Sequence, residues 1–239
     1  MNQNNVEQKS PSRHTLLRDG FAAGWPICLG YFPIGMALGV LARQAGLTPL
    51  DIGLMSVLVF AGSAQFIAVA MLAEGAAPLA IIATTFVVNF RHVLMSSSLA
   101  VPLRGVSRPF LALFAYGVTD ESFAVNTARF KAGGWDRWRA LVVHHAANTT
   151  WIIASVSGCL LGSLIPPGAF GIDFALPAMF LALIVLQTHN RLHVIVGLAA
   201  ALISVLCYLG LPGDSYALIA ALCAASLGYL LQRRARGTA

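Results

Sequence analysis

Between residues 20 and 231 the chain is built almost wholly from apolar segments: 20–42, 52–73, 79–101, 110–128, 141–164, 174–188, 193–211 and 215–231. A helix needs about 20 apolar residues to cross a bilayer. Most of these runs meet that length, and 174–188 is short for a full crossing. Only 10% of the residues are charged and 58% are hydrophobic. Soluble domains carry about 25% charge, so this chain could not cover its apolar surface with polar groups in water. Its mean hydropathy is +0.77. The expected fold is an all-α, polytopic integral membrane helical bundle of about eight transmembrane segments (seven to eight), some of them broken. It forms a single domain over 20–231, flanked by a polar tail at 1–19 and a basic tail at 232–239.

The net charge of +6 comes from residues at the ends and in short loops rather than from a nucleic-acid-binding patch. With eight crossings and a cytoplasmic N-terminus, the inside holds Lys9, Arg13, Arg18, Arg129, Lys131, Arg137, Arg139, Arg191, Arg233, Arg234 and Arg236. The outside holds Arg43, Arg104 and Arg108. This asymmetry follows the positive-inside rule and places both termini in the cytoplasm. The first 19 residues lack the layout of a signal peptide. No Walker A loop is present, so this chain shows no ATP-binding motif.

Polar knots inside the apolar runs are the candidate functional positions. Gly62, Ser63 and Gln65 interrupt segment two, and Asn89, Arg91 and His92 interrupt segment three. An unpaired polar group in hydrocarbon costs several kcal/mol, so these side chains must face protein or a water-filled cavity. Segment one carries Pro26, Pro33 and a Gly35-Met-Ala-Leu-Gly39 face suited to close helix packing. The cluster from Gly30 to Gly35 is dense enough to suggest an unwound, cavity-lining break at Pro33.

Segment four holds Thr119, Asp120 and Glu121, with Asn126 downstream. Adjacent residues point about 100° apart on a helix, so the two acids cannot face the same way. Either one carboxylate faces a cavity, to pair with Arg91 or take a proton, or segment four does not span and the acids lie in a loop. His144 and Asn148 share a helix face and read as interfacial residues following a basic loop. His189 and His193 read as loop residues.

No metal site or cofactor is expected. HExxH and CxxC spacings are absent, and Cys28, Cys159, Cys207 and Cys223 are scattered through apolar runs. An internal repeat is suggested by Phe60-Ala-Gly-Ser-Ala-Gln-Phe66 and Phe174-Ala-Leu-Pro-Ala-Met-Phe180, and by Asn89-x-x-His92 and Asn190-x-x-His193. The order of these motifs matches and their spacing does not; apolar sequence also produces such matches by chance.

Five stretches in order resemble the AzlC/YgaZ family, the larger subunit of branched-chain amino acid exporters. They are Leu29-Gly-Tyr-Phe-Pro-Ile-Gly35, Phe60–Phe66, Asn89-Phe-Arg-His92, Thr119-Asp-Glu121 and Leu176-Pro-Ala-Met-Phe180. The resemblance implies a permease domain in the bacterial inner membrane, working with a small hydrophobic AzlD-like subunit. It implies export of valine, leucine and isoleucine, with methionine as a further candidate, and proton coupling rather than ATP as the energy source. The chain is then not an enzyme. Two other classes remain: a membrane-embedded enzyme using the acids and histidines, and a structural subunit whose partner holds the path.

Overall fold

The computed structural model describes residues 12–166, 169–188, 191–210, 223–224, 226–231 and 233. Most of segment 215–231, most of both tails, and residues 189–190 lie outside the described residues.

Every regular element among the described residues is helical. α1 runs Arg13–Gln44, α2 Pro49–Leu58, α3 Gly62–Ala73 and α4 Pro78–Ala100. α5 runs Arg108–Tyr116, α6 Asp120–Ala132, α7 Arg137–Leu161, α8 Ala175–Gln187 and α9 Arg191–Gly210. Four helical stretches are long and apolar enough to cross a membrane: 13–44, 78–103, 137–164 and 191–209. They correspond to segments one, three, five and seven.

Segments two and four are each divided. Segment two becomes α2 and α3, of 10 and 12 residues. Segment four becomes α5 and α6, of 9 and 13 residues. At about 1.5 Å per residue none of these reaches the roughly 30 Å of a bilayer core alone. Segment six is the 13-residue α8. Four long helices and these shorter pieces therefore do not establish eight crossings.

The breaks have local causes. Thr48 caps α2 through a reciprocal pair of hydrogen bonds with Asp51. The α2–α3 junction turns at Phe60, whose φ of +39° is a left-handed value costly for a non-glycine residue. Its ring is buried between Tyr31 and Tyr116, and this packing holds the strained backbone. Thr119 starts α6 with a second capping box, to Ser122.

α1 against α7 is the principal helix pair. The backbones approach so closely that a Cβ at Gly39 would lie 2.1 Å from the Ser155 carbonyl oxygen, and one at Gly158 2.1 Å from that of Met36. The small-residue face expected for packing therefore meets its partner. Gly35 belongs to the same seam, against Ala154, and does not line a cavity. Contrary to expectation, α1 is not unwound at Pro33: the helix continues through Pro26 and Pro33, and Pro33 faces outward. An ion pair of 3.1 Å between Asp19 and Arg139 fixes one end of this helix pair.

α4 and α9 leave broad apolar faces uncovered, including Leu79, Ile82, Phe86 and Leu94, and Leu198, Leu202, Val205 and Leu209. Such faces would drive aggregation in water and suit a hydrocarbon surrounding. The repeat motifs divide in the structure. Phe60 and Phe174 both precede short helices, α3 and α8. His92, however, lies in the middle of α4, while His193 lies in the first turn of α9.

Candidate functional site

The broken helices bring their ends to one place. A cavity of about 40 Å³ is lined by Tyr31 and Ile34 of α1, Phe60 to Ser63 at the start of α3, Arg91 and His92 of α4, Thr119 to Glu121 at the start of α6, and Trp151 of α7. Seven of the expected residues meet here: Gly62, Ser63, Arg91, His92, Thr119, Asp120 and Glu121. The reason is geometric. A helix start exposes unpaired N–H groups, and two such starts face each other across Arg91. No side chain caps α3 at Ala61.

Arg91 connects the two starts. Its Nη2 lies 3.0 Å from Oδ2 of Asp120 and donates to the Ser63 hydroxyl. Both ion-pair side chains are mostly buried, with 29% and 21% exposure. The Nε of Arg91 and Oδ1 of Asn89 are buried without a partner among the described residues. An unmet buried donor costs about 1–3 kcal/mol, so the guanidinium retains capacity for one more acceptor.

Asp120 and Glu121 occupy the first turn of α6, where the helix dipole favours negative charge. They do not share a partner. Asp120 pairs with Arg91, whereas Oε2 of Glu121 lies 2.6 Å from the Tyr31 hydroxyl. That hydroxyl is also 2.8 Å from Oγ1 of Thr119. Segment four is thus neither a continuous spanning helix nor a plain loop at this point. It is broken, and the break places both acids on the cavity. The Nδ1 of His92 faces the carbonyl of Asn89 at 3.2 Å.

Gln65 and Asn126 belong to networks beside the cavity rather than to its lining. Gln65 is fully buried; its amide donates to Ser56 Oγ at 3.1 Å and accepts from Trp151 Nε1 at 2.8 Å. Ser56 joins Ser155 of α7 at 2.8 Å. This network ties α2 and α3 to α7 behind the cavity.

Asn126 lies in a second buried chain. The Trp135 indole can only donate, so its 3.0 Å bond identifies Asn126 Oδ1 as the acceptor. The Asn126 amide NH₂ then points at Nε2 of His144, 3.3 Å away, which must be an unprotonated acceptor. Nδ1 of His144 consequently carries the proton and donates to Ser122 Oγ at 3.0 Å. His144 is buried, so the expectation of an interfacial residue is wrong. It holds Ser122, the residue that closes the cap of α6, and thereby the turn that carries both acids. A histidine in an apolar run signals a need for partners; only the tertiary contacts supply them. Tyr31 and Trp151 were equally hidden, although a tyrosine hydroxyl in an apolar span has the same need.

A larger open groove of about 900 Å³ lies along the first turns of α1 and α7, lined mainly by Leu16, Leu17, Phe21, Trp138, Leu141 and Val142. It gathers no acidic group, whereas the smaller cavity brings both signs of charge together.

The family model described as AzlC protein matches residues 26–165. The chain is 28% identical to the inner membrane protein YgaZ of Escherichia coli over 94% of both chains. It is 29% identical to the branched-chain amino acid transport protein AzlC of Bacillus subtilis, covering 71% of this chain and 67% of that one. An uncharacterized membrane protein of Archaeoglobus fulgidus is 30% identical over 76% of this chain and 80% of its own. No solved structure gives a significant match. The matched residues span both broken segments and every residue lining the cavity, and the chain belongs to the AzlC family.

Proposed function

We propose that this chain is the large, membrane-embedded subunit of a branched-chain amino acid exporter. It carries valine, leucine, isoleucine and methionine out across the bacterial inner membrane with a small hydrophobic AzlD-like partner. The proton gradient drives it, and both termini are cytoplasmic. The supporting observation is the Arg91–Asp120 pair, set across two helix starts in the interior of a chain of apolar helices.

A zwitterion is the natural substrate for such a pair. Its carboxylate takes the place of Asp120 at Arg91, using the spare Nε and the exposed N–H groups at the start of α3. Its ammonium takes the place of Arg91 at Asp120. Each charge exchanges one partner for another, so neither is left unpaired in a low-dielectric site. Phe60, Ile34 and Trp151 offer apolar surface to the side chain. Small-ligand sites enclose roughly 300–1,000 Å³. The cavity of about 40 Å³ is far smaller, so the pair must separate and the helix starts must part to admit an amino acid. The junctions at Phe60 and Gly117–Thr119 are the places for that movement, because each divides a segment into two rigid pieces.

The test is efflux from cells loaded in turn with leucine-, valine-, isoleucine- and methionine-containing dipeptides, with the chain expressed alone, with its proposed small partner, and with neither. Faster appearance of leucine outside, requiring both proteins, is expected. Unchanged efflux of all three branched-chain amino acids and methionine, with both proteins verified in the membrane, overturns the substrate assignment. Chemically altered leucine would point to an enzyme, and transport by the partner alone to a structural role.

A further inference from the structure

The cavity gives its two carboxylates unequal partners. Asp120 has Arg91 at 3.0 Å. Glu121 has no Lys, Arg or His nitrogen within 4.0 Å among the described residues. The titratable and charged groups around it are Tyr31 from α1, Arg91 and His92 from α4, and Asp120 on its own helix. With Arg91 matched to Asp120, an ionised Glu121 leaves one unbalanced negative charge in a membrane interior, which is costly. A proton removes it.

The Tyr31 hydroxyl can serve both states of this carboxyl. It has one proton to donate and lone pairs to accept with. It donates to ionised Glu121 across 2.6 Å. When Glu121 is protonated, the carboxyl O–H donates to Tyr31, and the tyrosine proton turns to Thr119 Oγ1, 2.8 Å away. The two states exchange by rotation of hydroxyl groups, without backbone movement. A cavity of about 40 Å³ has room for water to deliver the proton.

We propose that Glu121 takes up and releases the coupling proton, with Tyr31 as its positioning residue. The assignment rests on the reading of the chain as a proton-driven exporter. With the cavity open outward, substrate leaves and a hydronium ion from the outer water gives up a proton, its O–H bond breaking as an O–H bond forms on Glu121. With the cavity open inward, that bond breaks, the proton leaves and substrate binds. No other bond changes. The substrate is net neutral, so each cycle carries one positive charge inward.

The test uses everted membrane vesicles containing the full chain and its proposed partner, with labelled leucine as probe and a pH-sensitive dye. Wild-type vesicles are expected to move about one proton per leucine. Glu121→Gln is expected to let leucine equilibrate with no accompanying proton and no accumulation against its gradient. Tyr31→Phe is expected to keep coupling while shifting the pH profile of transport. A wild-type proton ratio in Glu121→Gln overturns the assignment alone. So does loss of leucine binding in that variant, which would make Glu121 a binding residue, or an unshifted profile in Tyr31→Phe. Wild-type vesicles that move no leucine overturn the export reading and this assignment with it.

Discussion

Replacing Arg91 by alanine removes a single guanidinium that holds two helix starts together. It leaves Asp120 without a cationic partner and Ser63 without its donor. A hydrogen bond to a charged group contributes about 1.5–3 kcal/mol. At 1.4 kcal/mol per factor of ten, that is about a 10- to 150-fold loss of affinity for the amino acid carboxylate. Stability falls as well. Breaking a fully buried pair costs about 3–5 kcal/mol, an upper bound here because both side chains retain some exposure. Arg91→Lys keeps the charge but loses the planar fork, so its loss should be intermediate. Asp120→Asn should match Arg91→Ala in export. In a double-variant cycle, Arg91→Gln with Asp120→Asn should cost less than the two single changes together, with a coupling of about 0.5–3 kcal/mol. The assay is leucine efflux at matched membrane expression, together with thermal unfolding in detergent. Wild-type export by both Arg91→Ala and Asp120→Asn would remove the pair from the mechanism. Strictly additive losses would show that the two side chains act separately.

Other positions give independent checks. Gly158→Ala places a Cβ against the Met36 carbonyl at 2.1 Å; overpacking of this kind costs about 1–3 kcal/mol or more, and should appear as a lower unfolding temperature. His144→Ala leaves Ser122 and Asn126 short of partners at about 1–3 kcal/mol each, and should loosen the start of α6 as measured by hydrogen exchange over 119–123. Gln65→Leu strands the Trp151 indole and leaves Ser56 with Ser155 alone, with a loss of the same order in the detergent melt. At the start of α2, Thr48 holds the Asp51 carboxyl below the usual carboxylate range by donating to it from both its hydroxyl and its backbone N–H. The stabilisation is complete above the ordinary value of about 3.9 and is lost as pH falls through the lowered one. Asp51→Asn should therefore show faster exchange in the first turn of α2 at neutral pH.

The sequence alone determined that this chain belongs in a membrane and which residues cannot face lipid. Both follow from transfer energetics, which depend on composition and run length rather than on contacts. It also marked the polar knots. Seven of those positions share one cavity, because a polar side chain in an apolar run must find other polar side chains. Pro33 and Gly35 show where such reasoning stops. Proline removes one hydrogen bond but does not fix whether neighbouring turns hold the helix together, and here they do. Gly35 has the same local signature in a ligand site and in a helix crossing; the partner at Ala154 decides. The tertiary structure also decided which carboxylate meets Arg91. Adjacent acids on one helix turn are equivalent in sequence, and only the placement of α1 and α4 against α6 gives Asp120 a guanidinium and Glu121 a tyrosine hydroxyl.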